Sequence, residues 1–315
     1  MVRLRRRRRR GGRIPGAGVA VRVGERATPD PTCGAGGAPV MRGRQYVEPA
    51  VVARAVAVIA VTLSGVLPLW LVVKQAVTPD RESFAWPPTW IPRELTGENF
   101  RALGAATEVP GAAALSVTVA LIATGLTLAL ALPAARVAAR RPRADRRLEA
   151  LVTVARVFPQ IAVAIPLAVV FVRLGLYNRP TGVALWLAHA VLALPAAFLV
   201  LRAGFGAVPR DIEDAARIDG ASPLRAFLYV TLPLIRPQLA TAALLVFLLS
   251  WDEFGYALLL QVSNRTLPPL LYYLSAFGFP GLGSAVAVVM LAPALVIVIL
   301  LEPAFRSGLF AGGSR

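Results

Sequence analysis

Residues Pro209–Pro237 read PRDIEDAARIDGASPLRAFLYVTLPLIRP, a charged, helix-forming segment set between long apolar runs. Pro209 stands where a helix begins, because a first turn has no use for its missing N–H. Asp211, Glu213 and Asp214 fall in the first turns, where acids complement the helix dipole. Ala215, Ala216 and Ile218 give a small, partly apolar face. Gly220 suits the left-handed position that closes a helix. Ser222–Pro223 opens a second piece, with Ser222 as its cap and Pro223 in its first turn. Ala226, Phe227 and Val230 form the apolar face of that piece, and Leu232–Pro233 ends it. The segment therefore predicts two short helices hinged at Gly220, a rod fastened at both ends to its flanking runs. A short helix with small residues fits a groove on a partner. The alternative is a helix lying on lipid headgroups. The near balance of acids and bases and the small apolar face weigh against it.

The flanking runs fix the class. Of 315 residues, 57% are hydrophobic and only 16% are charged, against a usual quarter. The mean hydropathy is +0.64. These values predict an all-α integral membrane protein. A span needs about 20 mostly apolar residues. Six segments qualify: Val51–Val73, Ala112–Val137, Leu151–Phe171, Gly182–Leu201, Leu234–Leu260 and Leu282–Leu301. Backbone amides in lipid must be paired internally, so each is expected to be a helix. Pro68, Pro133, Pro159, Pro166, Pro195 and Pro293 lie within them. Such prolines either kink spans around a cavity or gate, or reflect the general frequency of proline in membrane helices.

Arginines set the orientation. Arg3, Arg5 to Arg10 and Arg13 crowd the N-terminus. Arg136, Arg140, Arg141, Arg143, Arg146 and Arg147 gather between the second and third spans. Arg202, Arg210, Arg217, Arg225 and Arg236 gather between the fourth and fifth. With six spans these regions share one side, so the charged rod and both termini are expected in the cytoplasm. On the other side, the Thr78–Gly111 loop carries Trp86 and Trp90, suited to a membrane interface, and prolines expected to hold it extended. A short surface helix is expected to start within Glu94–Asn99. Residues 1–45, rich in Arg, Gly and Pro, are expected to form a disordered basic tail, with the six-helix domain covering 46–315. Met41 is a candidate for the native start, and no cleavable signal peptide is evident. The basic tail has no interleaved aromatics on which bases could stack, which argues against nucleic acid.

Single residues exclude other classes. Cys33 is the only cysteine, so neither an intrachain disulfide nor a thiolate metal cluster is expected. Lys74 is the only lysine and follows no glycine-rich loop, so there is no P-loop, and no cofactor is expected. His189 is the only histidine. It is read as packed against a neighbouring helix, with a polar contact in a solute pathway as the alternative. One His, one Cys and no clustered ligands make a poor case for a membrane-embedded enzyme.

The rod matches a known pattern. Asp214-Ala215-Ala216, Asp219-Gly220-Ala221, Phe227 and Leu232-Pro233 with Pro237 resemble the EAA loop of binding-protein-dependent ABC importer permeases. Ala216–Ser222, ARIDGAS, is similar to the carbohydrate branch of the maltose-transporter type. Gly175-Leu176, Thr181-Gly182, Pro195, Trp251-Asp252-Glu253-Phe254 and Gly308–Gly312 extend the likeness from about Val51 to the end. The chain departs from the pattern at Asp214, where the family has glutamate, and at Asp252, where it has asparagine.

The resemblance implies a non-catalytic permease subunit in a bacterial inner membrane. Its partners would be an ATPase dimer, a second permease subunit and an extracytoplasmic solute-binding protein. The rod would be the coupling helix that docks on the ATPase. Glu213, Asp214, Ala215, Ala216, Asp219, Gly220, Ala221, Phe227, Leu232 and Pro233 would form the coupling loop. The solute implied is a sugar or sugar-like molecule, with a polyamine or glycerol phosphate on the same scaffold as the alternative. Asp252, Glu253, Tyr256 and His189 are the candidate pathway residues. Intramembrane carboxylates are functional suspects; the other reading of Asp252 and Glu253 is that they reach a cavity or the interface and fix the helix. An ion-coupled secondary transporter is a rival, but no internal repeat is visible and a cytoplasmic docking rod has no role there.

Overall fold

A computed structural model describes residues 49–106, 108–157 and 159–306. The expected tail over 1–45, the Met41 start and the Gly308–Gly312 stretch lie outside the described residues. The chain from Ala55 onward forms one compact unit. All regular structure among the described residues is helical. The helices are α1 (Pro49–Ala76), α2 (Asp80–Ser83), α3 (Glu98–Ala105), α4 (Glu108–Arg140), α5 (Pro142–Val157), α6 (Gln160–Arg173) and α7 (Val183–Ala207). Then come α8 (Arg210–Ile218), α9 (Pro223–Ala226), a π turn over Phe227–Thr231, α10 (Leu232–Leu234), α11 (Arg236–Trp251), α12 (Gly255–Leu260), α13 (Leu267–Ala276) and α14 (Pro280–Arg306).

Three helices, α1, α4 and α7, are long and apolar enough to cross a membrane. The run from α9 to α11 makes a fourth if its 76° bend is taken as a break within one span. Two of the six expected spans are not single helices. Leu151–Phe171 is divided between α5 and α6, with Pro159 at φ −60° and ψ 133° capping α6. Proline has no N–H for the helix ladder and turns the residue before it away from helical backbone. Leu234–Leu260 starts at the end of α10 and is otherwise helical over Arg236–Trp251 and again over Gly255–Leu260. The residues between, Asp252 to Phe254, carry the acid that caps the second piece. By contrast, Pro68, Pro133, Pro166 and Pro195 sit inside continuous helices.

The loop after α1 folds back on itself instead of running extended. Thr96 N donates to Val77 O at 2.8 Å. The Glu82 carboxylate gathers Thr89 Oγ1 at 2.7 Å and Arg93 N at 3.0 Å. The short helix expected to start within Glu94–Asn99 begins at Glu98. Its Asn99 is buried, not a surface residue, and its amide donates to Ala76 O and Thr78 O.

The core is a bundle of α4, α7 and α11. Ala131, Ala135, Ala138, Ala193 and Ala197 bring the backbones close around Phe198, Leu201, Phe205 and Val246. Small residues at helix contacts are the membrane solution to tight packing, because lipid tails offer no hydrophobic contrast. Thr127 Oγ1 ties α4 to α7 by donating to Ala190 O at 3.2 Å. Gly204 shows how close α7 and α11 lie, since a Cβ there would stand 2.9 Å from the Gln238 side chain. This bundle carries the rod at one end and the α11–α12 break further along α11.

Candidate functional site

The rod is built as two short helices. Pro209 precedes α8 with extended backbone, φ −58° and ψ 139°. At the other end Gly220 N donates to Arg217 O, and Ala221 N to Ala216 O, both at 3.0 Å. These two bonds close a helix through a left-handed residue, and Gly220 has φ +88°. Ser222 Oγ accepts from Arg225 N at 3.4 Å, with Pro223 in the first turn of α9. The second piece does not end at Leu232–Pro233. It continues as the π turn and α10, and the chain bends at Ile235, φ −98° and ψ 13°. Pro233 is tolerated because it lies in the first turn of α10; Pro237 then fits the first turn of α11.

Glu213 is where the structure departs most from the sequence reading of the rod. The sequence places it with Asp211 as an acid complementing the dipole, yet it is only 7% exposed. Its Oε1 accepts from Arg136 Nη2 at 2.9 Å and from Thr231 Oγ1 at 2.7 Å. Arg140 Nη2 lies 3.4 Å from Oε2, a charge neighbour without hydrogen-bond alignment. Arg140 Nη1 also donates to Val208 O at 3.1 Å. The Arg136 guanidinium covers the Phe227 ring at 4.6 Å, and Phe227 stacks on Phe205. Burial alone would push the Glu213 carboxyl up. The Thr231 hydroxyl and the two guanidinium groups outweigh it and hold the carboxyl below its ordinary range.

The opposite face of the rod is open. Asp214 is exposed, with Arg217 Nη1 3.7 Å away. Ala215, Asp219 and Gly220 are exposed, and Ile218 is 87% exposed beside an exposed Leu224. Ala216, Ala221, Phe227, Leu232 and Pro233 are half-buried. The ten loop residues therefore divide: Glu213 and Phe227 face the helix bundle, and Asp214 and Ala215 face away.

The candidate pathway residues divide as well. Glu253 is buried, and its carboxylate accepts from Tyr256 N at 2.8 Å and Ala257 N at 3.0 Å. It thereby satisfies the first free amides of α12. His189 Nε2 lies 3.3 Å from Glu253 Oε2, and His189 Nδ1 lies 2.7 Å from Ser250 Oγ. Nε2 makes no aligned hydrogen bond, so the Glu253 carboxylate is its close polar neighbour, while Nδ1 and the Ser250 hydroxyl share a hydrogen bond. Asp252 is exposed and, with Glu253, Gln160, Phe254 and Trp251, lines a cavity of about 680 Å³. Tyr256 and His189 are buried and are not among its lining residues; Tyr256 packs with Phe171, Leu185 and Leu260. No cluster of three metal-ligating side chains occurs among the described residues.

A rod with one pinned and one open face, joined to an alanine-rich helix bundle, is a distinctive arrangement, and the sequence carries a family signature to match. Residues 127–307 match the binding-protein-dependent transport system inner membrane component family. The chain belongs to this family. The match includes the rod, the α4 residues that pin it and the broken α11–α12 run. Among curated members, a putative ABC transporter permease protein of Streptomyces antibioticus is 37% identical over 71% of this chain and 100% of that one. The sulfoquinovosyl glycerol transport system permease protein of Agrobacterium fabrum is 33% identical over 83% of this chain and 93% of its own. The trehalose transport system permease protein of Mycobacterium tuberculosis is 33% identical, over 71% and 84%. Among solved structures, a chain of a bacterial ABC transporter involved in the import of alginate superposes with a TM-score of 0.65. It covers 82% of this chain and 95% of that one at 19% identity, a likeness of fold.

Sequence reasoning missed four contributors to these sites in this permease. Arg136 and Arg140 were read only as charges setting orientation. Their i, i+4 spacing on α4 puts both on one helix face and was a usable signal. Thr231 and Ser250 gave none, because each meets its partner only through the packing of distant segments.

Proposed function

We propose that this chain is one permease half of an ATP-driven, binding-protein-dependent importer for a sugar or sugar-like solute. In this reading the chain crosses the membrane six times, with the broken α5–α6 and α11–α12 runs completing two of the spans. The basic connections, the rod and both termini face the cytoplasm. ATP hydrolysis resides in separate ATPase subunits, a second permease completes the pore, and an extracytoplasmic binding protein delivers the solute. The chain itself performs no chemistry. In the same reading the permease domain covers 46–315.

The observation that carries this reading is the open face of α8. An exposed Ile218 and Leu224 beside Ala215 on a loop between membrane helices need a protein cover, and small side chains allow close backbone approach. The sugar assignment rests on relatives named for trehalose and sulfoquinovosyl glycerol transport. The cavity beside Asp252 and Glu253 supports a pathway along α11, where a polyhydroxylated solute finds acceptors and an aromatic surface. The test is co-purification of the tagged permease with its ATPase subunit after co-expression. The wild type retains the ATPase, and Ala215→Glu or Gly220→Pro loses it. Capture that survives both substitutions would remove α8 as the docking element.

A further inference from the structure

The pinned face of the rod assigns a role that docking does not. A helix that only docks needs its outward side chains. It has no use for a buried carboxylate held from three directions. Glu213 is held by three groups: Arg136 and Arg140 from α4 and Thr231 from the π turn. These belong to segments far apart in the chain, with a separation of 77 residues from Arg136 to Glu213 and 18 from Glu213 to Thr231.

We propose that Glu213, Arg136, Arg140 and Thr231 form the mechanical joint through which displacement of α8 reaches the apolar helix bundle. The proposal rests on the reading of α8 as the ATPase-docking rod. The chain on either side of α8 leaves the α-helical path. Before it lies the Val208–Pro209 turn, and after it come the Gly220 turn and the π turn. A pull passed only along this backbone would bend the turns, although the first is tied to the end of α4 by Arg140 Nη1 donating to Val208 O at 3.1 Å and Arg210 Nη2 to Arg140 O at 3.0 Å. The Glu213 carboxylate bypasses them. It links the first turn of α8 directly to α4, the longest helix of the bundle, within a turn or two of its end at Arg140. Thr231 adds the second link, from the same oxygen to the segment that leads into α11.

Phe227 fits the same device. It lies under the Arg136 guanidinium and against Phe205 of α7, so the joint is backed by α7 as well as α4. Charge-assisted hydrogen bonds to a largely buried carboxylate are directional and short, which suits a link that must transmit position. Glu213, Arg136, Arg140 and Thr231 are positioning residues: they touch neither solute nor nucleotide.

The test uses the complete transporter, with its ATPase, second permease and binding protein, reconstituted in vesicles. Three readouts are taken together: ATPase capture, ATP hydrolysis stimulated by the loaded binding protein, and solute uptake. Glu213→Gln is expected to leave capture intact, to lower uptake at least tenfold and to weaken the stimulation of hydrolysis. Glu213→Arg and Arg136→Glu are each expected to abolish uptake, and the exchanged pair to restore a measurable part. Thr231→Val removes the hydroxyl and preserves shape; it decides the matter if the Gln variant fails to fold, with a severalfold loss of uptake expected. Uptake unchanged in Glu213→Gln, or in Thr231→Val where only that variant folds, overturns the joint. Loss of ATPase capture in a folded Glu213→Gln also overturns it, because the carboxylate would then serve docking. If the wild type itself captures no ATPase, the importer reading fails instead, and the two failures remain distinct.

Discussion

The chain has two pairs of adjacent acids, Glu213–Asp214 in the rod and Asp252–Glu253 at the break between α11 and α12. In each pair the glutamate is buried and the aspartate exposed. The two glutamates are held by different means. Glu213 has two guanidinium groups and a hydroxyl around it. Glu253 has two backbone amides and the His189 ring, with the ring held in turn by Ser250. The first arrangement joins separate segments through side chains. The second repairs a gap in one segment, because the amides that Glu253 satisfies are those exposed by the break itself. The same residue type therefore acts as a joint at one site and as a helix cap at the other.

The largest effect is expected where the buried acid has least solvent to fall back on. Glu253→Ala leaves two buried amides of α12, Tyr256 N and Ala257 N, without their acceptor. A buried donor left without its acceptor costs about 1–3 kcal/mol, and two are left here. Thermal unfolding of the detergent-purified protein is expected to drop by many degrees, and Glu253→Gln, which keeps one acceptor oxygen, to recover part of the loss. Equal loss in both would show that charge, not capping, is what Glu253 supplies. Glu213→Ala comes next, at about 3 kcal/mol, the low end of what breaking a buried ion pair costs. Arg136 keeps 28% of its side chain exposed, so water takes over part of what the carboxylate gave.

Acid sharpens the rod side of the comparison. The Glu213 carboxyl is held below its ordinary value of 4.5, with burial opposing and Thr231, Arg136 and Arg140 prevailing. A depressed carboxyl contributes stability that is present in full above the unfolded value and is lost as pH falls through the folded one. Wild-type stability is therefore expected to fall faster than that of Glu213→Gln once pH drops below 4.5. Parallel acid profiles of the two proteins would remove the ion pairs as a source of stability.

The sequence made the rod legible because its signals are local. Proline, acids, glycine, serine and proline follow in the order that two capped helices require, and Gly220 takes the backbone that only glycine adopts without strain. The apolar runs announced membrane helices, but hydropathy averages over a window and is blind to a break within it. That is why Leu151–Phe171 and Leu234–Leu260 read as continuous. Pro159 and Asp252–Glu253 were visible as letters, yet Pro68, Pro133, Pro166 and Pro195 are letters of the same kind inside unbroken helices. Neighbouring helices decide which proline breaks a span, and neighbours are a property of the fold. The same holds for burial: nothing in EDAAR tells Glu213 from Asp214 until α4 is laid beside α8.

Gly220→Ala is a smaller perturbation. A Cβ at this position meets nothing within 4 Å, so only the backbone at φ +88° resists it. The cost is roughly 1 kcal/mol, a shift of a few degrees in the unfolding midpoint. A larger loss would mean that the turn between α8 and α9 shares load with the Glu213 cluster.

The smallest effects on stability belong to the exposed partners. Asp214→Asn removes a charge at an exposed position and Asp252→Asn one that opens on the cavity at the α11–α12 break, and the expected change for each is within about 0.5 kcal/mol. For Asp214 the one ion pair lost, to Arg217 at 3.7 Å with both side chains half exposed, contributes next to nothing. The two substitutions are expected to part company in function. If α8 docks on the ATPase, Asp214→Asn weakens capture and leaves solute selectivity alone. If the cavity at the α11–α12 break is the pathway, Asp252→Asn, which installs the asparagine of the family pattern, changes uptake and leaves capture alone. A change in capture from Asp252→Asn, or in solute preference from Asp214→Asn, would break the division of labour between the two acid pairs even though neither substitution disturbs the fold.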